Sequence, residues 1–248
     1  MKIVYALLAL FGLGYGFLLL NVYLTQSSIL YAPTAEARPK SSLLSWTLRD
    51  RTIGYAREVA QPRTIWLMLH GNAGQAEHRD YILPLLDATD SLYVVEYPGF
   101  GLRPGKPSRE SLNAAALEAY QLLRTQNPGT PIAVIGESIG SGPACELARA
   151  ATPPDKIVLL TPFDTLANVA AGHFRMLPVR LILRDRWDNV AALRDYRGPV
   201  EIFAALDDTV VPFERAKALA DQHPCARFHS LLGGHNDWIG HNTVRIVR

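Results

Sequence analysis

A serine flanked by glycines lies in the middle of the chain, where a predicted strand meets a predicted helix. The apolar run 132–135 leads into the motif GESIG (residues 136–140), and a helical pattern follows. A serine on such a sharp turn has a strained backbone, and glycines beside it avoid clashes with the neighbouring strand or helix. The first N–H groups of the helix favour a negative charge that develops nearby. The pattern therefore predicts that Ser138 is a nucleophile.

A serine hydroxyl is a weak nucleophile at neutral pH and needs a base that a third group holds in place. His235 follows the last predicted strand, in the sequence GGHND, and Asp207 and Asp208 follow the strand before it. The side chains of adjacent residues leaving a strand point in opposite directions, so only one of these carboxylates can face the histidine. The Val-Val-Pro that begins at residue 210 favours Asp208, because it would pack beneath the loop and open the next helix. Asp164, after an earlier strand, is the alternative acid.

A second turn offers donors for a negatively charged oxygen. The strand at 65–69 ends in HGNAG (residues 70–74), a tight turn that can present the backbone N–H of Asn72 toward the serine. With the N–H of Ile139 it would form an oxyanion hole, whose single donors are each worth about 3 kcal/mol. An ordinary glycine-rich strand-to-helix turn is the alternative. The sequence contains neither a G-x-x-x-x-G-K-[ST] phosphate loop nor a G-x-G-x-x-G after the first parallel strand, which argues against nucleotide binding.

The other side chains with ionisable or nucleophilic groups are predicted to have structural roles. Glu137 is interpreted as a hydrogen-bonding residue of the serine turn, Asp237 as the cap of the last helix, and Cys145 as a small buried apolar residue. Surface or packing roles are expected for the other histidines: His70, His78, His173, His223, His229 and His241. Because no His, Asp or Glu cluster has the spacing of metal ligands, neither a metal nor a cofactor is predicted.

The hydrophobic pattern alternates between short apolar runs and helical stretches, which predicts an α/β fold with a mainly parallel sheet covered on both faces. A hairpin around residues 50–51 precedes strands at 65–69, 92–96, 132–135, 157–160, 200–205 and 228–232. Helices are predicted at 75–87, 108–125, 138–151 and 212–222 and in the C-terminal tail, and Ser108 caps the second of them. Residues 165–198 break this rhythm and are predicted to form a small helical insertion that Trp187 and Asp188 anchor to the body.

The N-terminus carries an apolar segment. Residues 3–20 contain no charge, and eighteen residues rise about 27 Å as a helix, close to the hydrocarbon thickness of a bilayer. We expect a membrane anchor at 1–24, a tether at 25–42 and the catalytic domain at 43–248; a cleaved signal peptide and a buried helix are the alternatives. Lys2 precedes the span, and Arg38 and Lys40 follow it, so charge favours neither orientation strongly.

Composition excludes several classes of function. The 248 residues carry 25 Lys+Arg against 23 Asp+Glu, a net charge of +2, without a basic run that would bind nucleic acid. Two cysteines cannot build a disulfide framework, and neither belongs to a C-x-x-C pair.

Five motifs in order, HGNAG, YPGFG-x-x-x-GKPS, GESIGSGPACELA, D-x-V-V-P and GGHND, resemble the α/β-hydrolase superfamily. They are most similar to its small, membrane-anchored abhydrolase-domain branch, which includes depalmitoylases and serine-aminopeptidase-like hydrolases. The resemblance implies an α/β-hydrolase fold with Ser138 as nucleophile, Asp208 as acid and His235 as base. It also implies that the helical insertion is a short lid, and "lid" denotes residues 165–198 below.

The resulting hypothesis is a serine hydrolase that transfers the acyl group of an ester or thioester to water. Its partners would be a small or acylated substrate and a membrane, and its expected location is the bacterial inner membrane, with the catalytic domain in the periplasm. Two alternatives remain: an amidase or peptidase with the same triad, and a membrane-attached binding protein that has lost catalysis.

Overall fold

The structure, a computed structural model, describes residues 1–36 and 41–248 and is built around one eight-stranded sheet. Its strands are β1 (Leu44–Leu48), β2 (Arg51–Arg57), β3 (Ile65–Leu69), β4 (Ser91–Val95), β5 (Ile132–Glu137), β6 (Lys156–Leu160), β7 (Val200–Ala205) and β8 (Ala226–Leu231). Their order across the sheet is β1-β2-β4-β3-β5-β6-β7-β8. Strands β3 to β8 are parallel, and the predicted hairpin β1–β2 adds an antiparallel edge beside β4. The predicted α/β architecture is confirmed.

The sheet brings two turns of interest together. Strand β3 lies between β4 and β5, so the direction of strand addition reverses at β3. Leu69 pairs with Gly136 in the β3–β5 ladder, so the turn after β3 and the turn after β5 leave the sheet side by side. The crevice at such a reversal is where open parallel sheets bind ligands.

The α-helices of the described residues are α1 (Lys2–Leu30), α2 (Arg109–Gln126), α3 (Ser141–Glu146), α4 (Leu166–His173), α5 (Val179–Ile182), α6 (Asn189–Leu193), α7 (Phe213–Asp221) and α8 (Trp238–His241). Alternate residues of the central strands point to opposite faces, and each face has its own apolar core. Leu67 packs in the core beneath α2, α3 and α7, whereas Met68 packs in the core that contains Trp238 of α8. Ser108 caps α2 as predicted, in a reciprocal pair of hydrogen bonds with Ser111.

Three predicted helices differ from the structure. The one at 75–87 is a 3₁₀ segment, Ala76–Leu85, which contains Pro84 and a non-helical Arg79. The one at 138–151 is α3 with a 3₁₀ turn at each end. The C-terminal helix is the single turn α8. Beyond it the chain forms no regular secondary structure, and Val244 and Ile246 are buried in the second core.

The lid is helical, as predicted, and consists of α4, α5 and α6 with their connections. Trp187 fixes it to the body, since the indole is buried and donates a hydrogen bond to Asn113 Oδ1 (3.0 Å). The indole covers Gly142 of α3, where a Cβ would lie 2.6 Å from the ring. A bridge between Thr165 and Asp188 closes the base of the lid.

The N-terminal segment extends further into the structure than the sequence predicted. Helix α1 ends at Leu30, six residues past the expected end of the anchor at residue 24. Its apolar window has a mean hydropathy of 2.3 and contains no buried residue, so its length and composition suit a membrane span. Part of the predicted tether contacts the catalytic domain: the Tyr31 hydroxyl donates to Asp185 Oδ2 of the lid (2.8 Å), and Thr34 N donates to Gly74 O of the body. The tether residues Arg38 and Lys40 lie outside the described residues.

Candidate active site

Ser138 occupies the turn between β5 and the first helical turn after it. Its φ is +51°, a left-handed conformation that costs energy for a residue with a side chain. The glycines of the motif relieve the crowding around it. A Cβ at Gly140 would lie 2.0 Å from the Leu69 carbonyl oxygen, and one at Gly136 would lie 2.6 Å from the Ala144 Cβ. Sterics thus account for the G-x-S-x-G pattern.

The three residues of the predicted triad meet at this turn. His235 Nε2 lies 2.9 Å from Ser138 Oγ, and His235 Nδ1 lies 2.7 Å from Asp208 Oδ2. Ser138 and Asp208 are buried, with 8% and 7% of their surface exposed. In this geometry the carboxylate accepts the Nδ1 proton, which leaves Nε2 free to accept the serine proton.

The two adjacent aspartates have different surroundings. Asp208 Oδ1 accepts the N–H groups of Val210 (2.8 Å) and Val211 (2.7 Å), so the loop fixes one oxygen while the other faces His235. Asp207 is exposed, and its backbone N–H donates to Gly233 O. The alternative acid Asp164 is engaged elsewhere, with Asn168 (2.7 Å) and Arg215 (3.2 Å).

The predicted oxyanion donors flank Ser138. Ile139 is buried and directly follows the serine, at the start of the helical turn. On the other side a Cβ at Gly71 would lie 3.4 Å from the Ser138 Cβ, so the residue before Asn72 packs against the nucleophile. The Asn72 side chain is already engaged, because its Oδ1 accepts the N–H groups of Ala32 (2.7 Å) and Ala73 (2.8 Å). The side-chain oxygen of Asn72 is thus held in place, and the predicted oxyanion role concerns its backbone N–H.

Glu137 ties these two turns together. Its Oε2 accepts the Gly71 N–H (2.9 Å), its Oε1 accepts the Tyr81 hydroxyl, and Arg79 Nη1 lies 3.7 Å from Oε2. Arg79 also donates to Ala73 O (2.5 Å). Burial raises the Glu137 pKa, but Arg79, the Tyr81 hydroxyl and the Gly71 N–H outweigh it, so the pKa is lowered from its usual value. The carboxylate thus holds the turn after β3 against the serine turn.

The hydrogen-bonding role predicted for Glu137 agrees with these contacts, but its partners were missed. A charged residue at the end of a buried strand signals that partners must exist, since an unpaired buried charge is costly. Arg79 and Tyr81 gave no such signal, because both lay within a predicted helix of mixed polarity. Asp237 occupies the N-cap position of α8, as predicted, but its side chain does not cap the helix: Oδ1 instead accepts the Gly234 N–H (2.5 Å) in the histidine loop.

The other histidines have structural contacts. His70 is buried beside Tyr97 and Phe100, and His223 is buried with Nε2 3.2 Å from Tyr196 O. His173, at the end of α4, lies 2.7 Å from the Val210 carbonyl oxygen and so links the lid to the loop that carries the acid.

The described residues suggest neither a reactive thiol at Cys145 nor a metal site. Cys145 is fully buried, and burial raises the pKa of its thiol well above the usual value, so the thiol stays protonated. Among residues 1–36 and 41–248, no group of three or more His, Cys, Asp or Glu side chains could hold a metal ion.

The chain matches the model of the alpha/beta hydrolase family over residues 66–245. An uncharacterized protein of Mycobacterium tuberculosis is 32% identical over 184 residues, which cover 73% of this chain and 64% of the relative. The lysophosphatidylserine lipase ABHD12 of Danio rerio is 30% identical over 201 residues, covering 73% of this chain and 52% of the lipase. The chain thus spans between about half and two thirds of the length of these relatives.

Solved structures show the same fold. The Pyrococcus furiosus esterase Pf2001 superimposes with a TM-score of 0.64 at 14% identity, over 84% of this chain and 91% of the esterase. A thioesterase domain from the curacin biosynthetic pathway gives a TM-score of 0.59 at 12% identity, over 81% of this chain and 96% of that domain. The predicted α/β-hydrolase fold and the predicted family resemblance are confirmed.

Proposed function

The chain belongs to the α/β-hydrolase family, and we propose that it is a serine hydrolase that transfers the acyl group of an ester or thioester to water. The observation that carries the proposal is the continuous pair of hydrogen bonds from Ser138 through His235 to Asp208 (2.9 and 2.7 Å). A hydroxyl, an imidazole and a buried carboxylate in this sequence form a general-base system for acyl transfer.

In the first half-reaction Ser138 Oγ attacks the acyl carbonyl carbon while His235 Nε2 takes the serine proton. Asp208 holds the imidazole in the required tautomer and stabilises its positive charge. The N–H groups of Asn72 and Ile139 donate to the carbonyl oxygen, which becomes negatively charged. His235 then gives its proton to the leaving oxygen or sulfur, and the acyl group remains on Ser138.

The second half-reaction repeats these steps with water. His235 removes a proton from a water molecule, whose oxygen attacks the acyl-serine carbonyl. The same donors stabilise the second tetrahedral intermediate, and the proton returns to Ser138 Oγ as the acid leaves. Every charge that forms in either half has a group of this chain beside it, so the chemistry needs no bound cofactor.

Lipid esters are the substrate class that we propose. The relatives named lysophosphatidylserine lipase support it, although the chain covers only about half of their length. The apolar helix α1 supports it independently, because a bilayer is the environment in which such a helix is stable. We propose that α1 spans a bacterial inner membrane, with Lys2 in the cytoplasm and the catalytic domain in the periplasm.

Labelling with a fluorophosphonate tests the enzyme proposal. The wild type should bind the probe covalently, and Ser138→Ala should lose both labelling and ester hydrolysis while it unfolds at the same temperature as the wild type. Ser141→Ala is the matched control, since that buried serine lies one turn away and donates to the Ser138 carbonyl oxygen (2.6 Å).

Turnover that survives in folded Ser138→Ala would place the nucleophile elsewhere. A wild type that is folded but does not react with the probe would favour the binding-protein alternative. A panel of matched esters, thioesters and amides then separates the ester or thioester hydrolase from an amidase or peptidase.

A further inference from the structure

The second half of α1 packs against the lid. From Lys2 to Gly14 every residue of the helix is exposed, and shielding begins at Tyr15. The shielded apolar and polar side chains recur every three or four residues, which places them on one face of the helix. They are Tyr15, Leu19, Val22, Gln26 and Leu30, and Ser27 beside Gln26 is also partly shielded. The contact between this face and the lid is called the helix–lid seam below.

Polar contacts fix the position of the lid along α1. The Tyr15 hydroxyl donates to Met176 O (2.8 Å), and the Gln26 side chain donates to Ile182 O (3.0 Å) and accepts the Arg184 N–H (2.8 Å). The lid thus runs along α1 in the same direction as the helix, with Met176 beside Tyr15 and Ile182 beside Gln26. Apolar side chains of α1, α4 and α5 line the cleft between the polar contacts.

With the lid at this position along α1, the part of the helix that does not contact the lid is too short to cross a bilayer. Residues 2–14 rise only about 20 Å, whereas the hydrocarbon of a bilayer is about 30 Å thick. If the apolar run 3–20 spans the hydrocarbon, its last residues, 15–20, lie beside the lid. They account for about 10 Å of the hydrocarbon thickness. Met176, beside Tyr15, then lies roughly 8 Å inside the end of the run.

The lid surface is apolar and exposed at this level, and it stays so toward the headgroup region, where Leu181 lies close to the level of Gln26. Phe174, Met176 and Leu181 are 43%, 86% and 80% exposed, a grouping that is costly in water. Arg175 and Arg180, both exposed, stand among them. Long arginine side chains at such a boundary can bury their methylene groups and extend the guanidinium to lipid phosphates.

We propose that the lid segment 174–181 is embedded in the same leaflet that α1 enters, so that helix and lid form one membrane-facing surface. The occupant of this surface is the lipid bilayer. Because His173 joins the end of α4 to Val210 in the acid loop, the embedded segment lies next to the catalytic loops, and substrate enters from the leaflet. The embedding of the lid rests on the proposed membrane span of α1, whereas the route of the substrate also rests on the proposed chemistry.

Depth-dependent quenching tests the proposal on the full chain. In a Cys225→Ser background, which removes the exposed free cysteine, single cysteines replace Met176, Leu181, Leu18 or Leu44 and carry a small fluorophore. Leu18 is the control within α1, and Leu44, 77% exposed on the edge strand β1, is the control on the body. The proteins are reconstituted in vesicles of phosphatidylcholine with a minority of phosphatidylglycerol, with a nitroxide near the headgroup end of the acyl chains.

Labels at 176 and 181 should be quenched several-fold more than the label at 44 and comparably to the label at 18. Quenching at 176 and 181 as weak as at 44, with strong quenching at 18, would overturn the proposal. Weak quenching at all four positions would overturn it too, since α1 would not be in the bilayer. Fluorophosphonate labelling of the same proteins reports the proposed chemistry separately, so the two proposals can fail independently.

Discussion

The carboxyl edge of the sheet and the helix–lid seam are built in different ways. At the edge, buried parallel strands fix where each turn leaves the sheet, and the side chains of Ser138, His235 and Asp208 follow from that framework. At the seam, a one-turn helix, α5, and a few side chains such as Gln26 hold the lid to α1. The comparison indicates that the proposed chemistry and the proposed membrane contact depend on separate sets of interactions, so mutations should separate them.

The largest effect expected, after loss of the nucleophile, is at the aspartate that orients His235. Asp208→Asn should reduce turnover by about 10⁴-fold, because the amide stabilises the wrong imidazole tautomer. Asp207→Asn is the matched control and should lose less than about tenfold, since Asp207 is exposed. Steady-state rates on a water-soluble ester measure both. The reverse ranking would assign the role to Asp207, and equal mild losses would point to Asp164.

An intermediate effect is expected at Glu137, which we interpret as a positioning residue for the oxyanion donors. Glu137→Gln weakens the ion pair with Arg79 and the contact with the Gly71 N–H, so kcat should fall by about 10- to 100-fold with little change in KM. Glu146→Gln on α3, whose carboxylate pairs with Arg149, is the control and should stay within about twofold of the wild type. An unchanged kcat in Glu137→Gln would show that the turn after β3 keeps its position without this carboxylate.

Glu137 also predicts a pH dependence of stability. Its folded-state pKa is lowered, so the ionised carboxylate stabilises the folded chain above the unfolded-state value of about 4.3. That contribution is lost as the pH falls through the lower folded-state pKa. Urea unfolding from pH 7 to the acid limit should show a difference between wild type and Glu137→Gln that is constant near neutrality and shrinks under acid. A difference that grows under acid would contradict the direction of the shift.

The triad side chains could be predicted from sequence because each follows a strand with a clear apolar pattern. Their roles remain predictions, while their proximity is now a structural fact. The network around Glu137 could not be predicted, since Tyr81 and Glu137 are 56 positions apart and lie on elements that only the folded sheet brings together. The helix–lid seam was missed for the same reason, as Gln26 and Ile182 are 156 positions apart.

The boundaries of the N-terminal region show a second limit of prediction from sequence. Polarity alone ended the anchor at residue 24, yet polar residues such as Gln26 and Ser27 continue the helix because the lid supplies their partners. Periodicity likewise could not tell a 3₁₀ segment with Pro84 from an α-helix, because both have similar patterns over a few turns.

The smallest effect on chemistry is expected at the end of the helix–lid seam, where Tyr31 follows Leu30 of α1 and contacts Asp185 of the lid. Tyr31→Phe removes the only hydroxyl that bonds Asp185 Oδ2 among the described residues and leaves a buried carboxylate oxygen unsatisfied. The free energy of unfolding should fall by about 1–3 kcal/mol, whereas hydrolysis of a water-soluble ester should change less than about twofold. Tyr5→Phe, at an exposed position of α1, should change neither quantity. A large loss of soluble-ester turnover in Tyr31→Phe would mean that seam and catalytic edge are coupled.

The central claim is that Ser138 carries the acyl group between the two half-reactions. Rapid quenching of the wild type with an excess of an activated ester, followed by peptide mass mapping, tests it most directly. The account predicts one acyl group per chain on the peptide that contains Ser138, together with a burst of leaving group of the same size. An acyl group on another peptide, or a burst of the same size from folded Ser138→Ala, would contradict it.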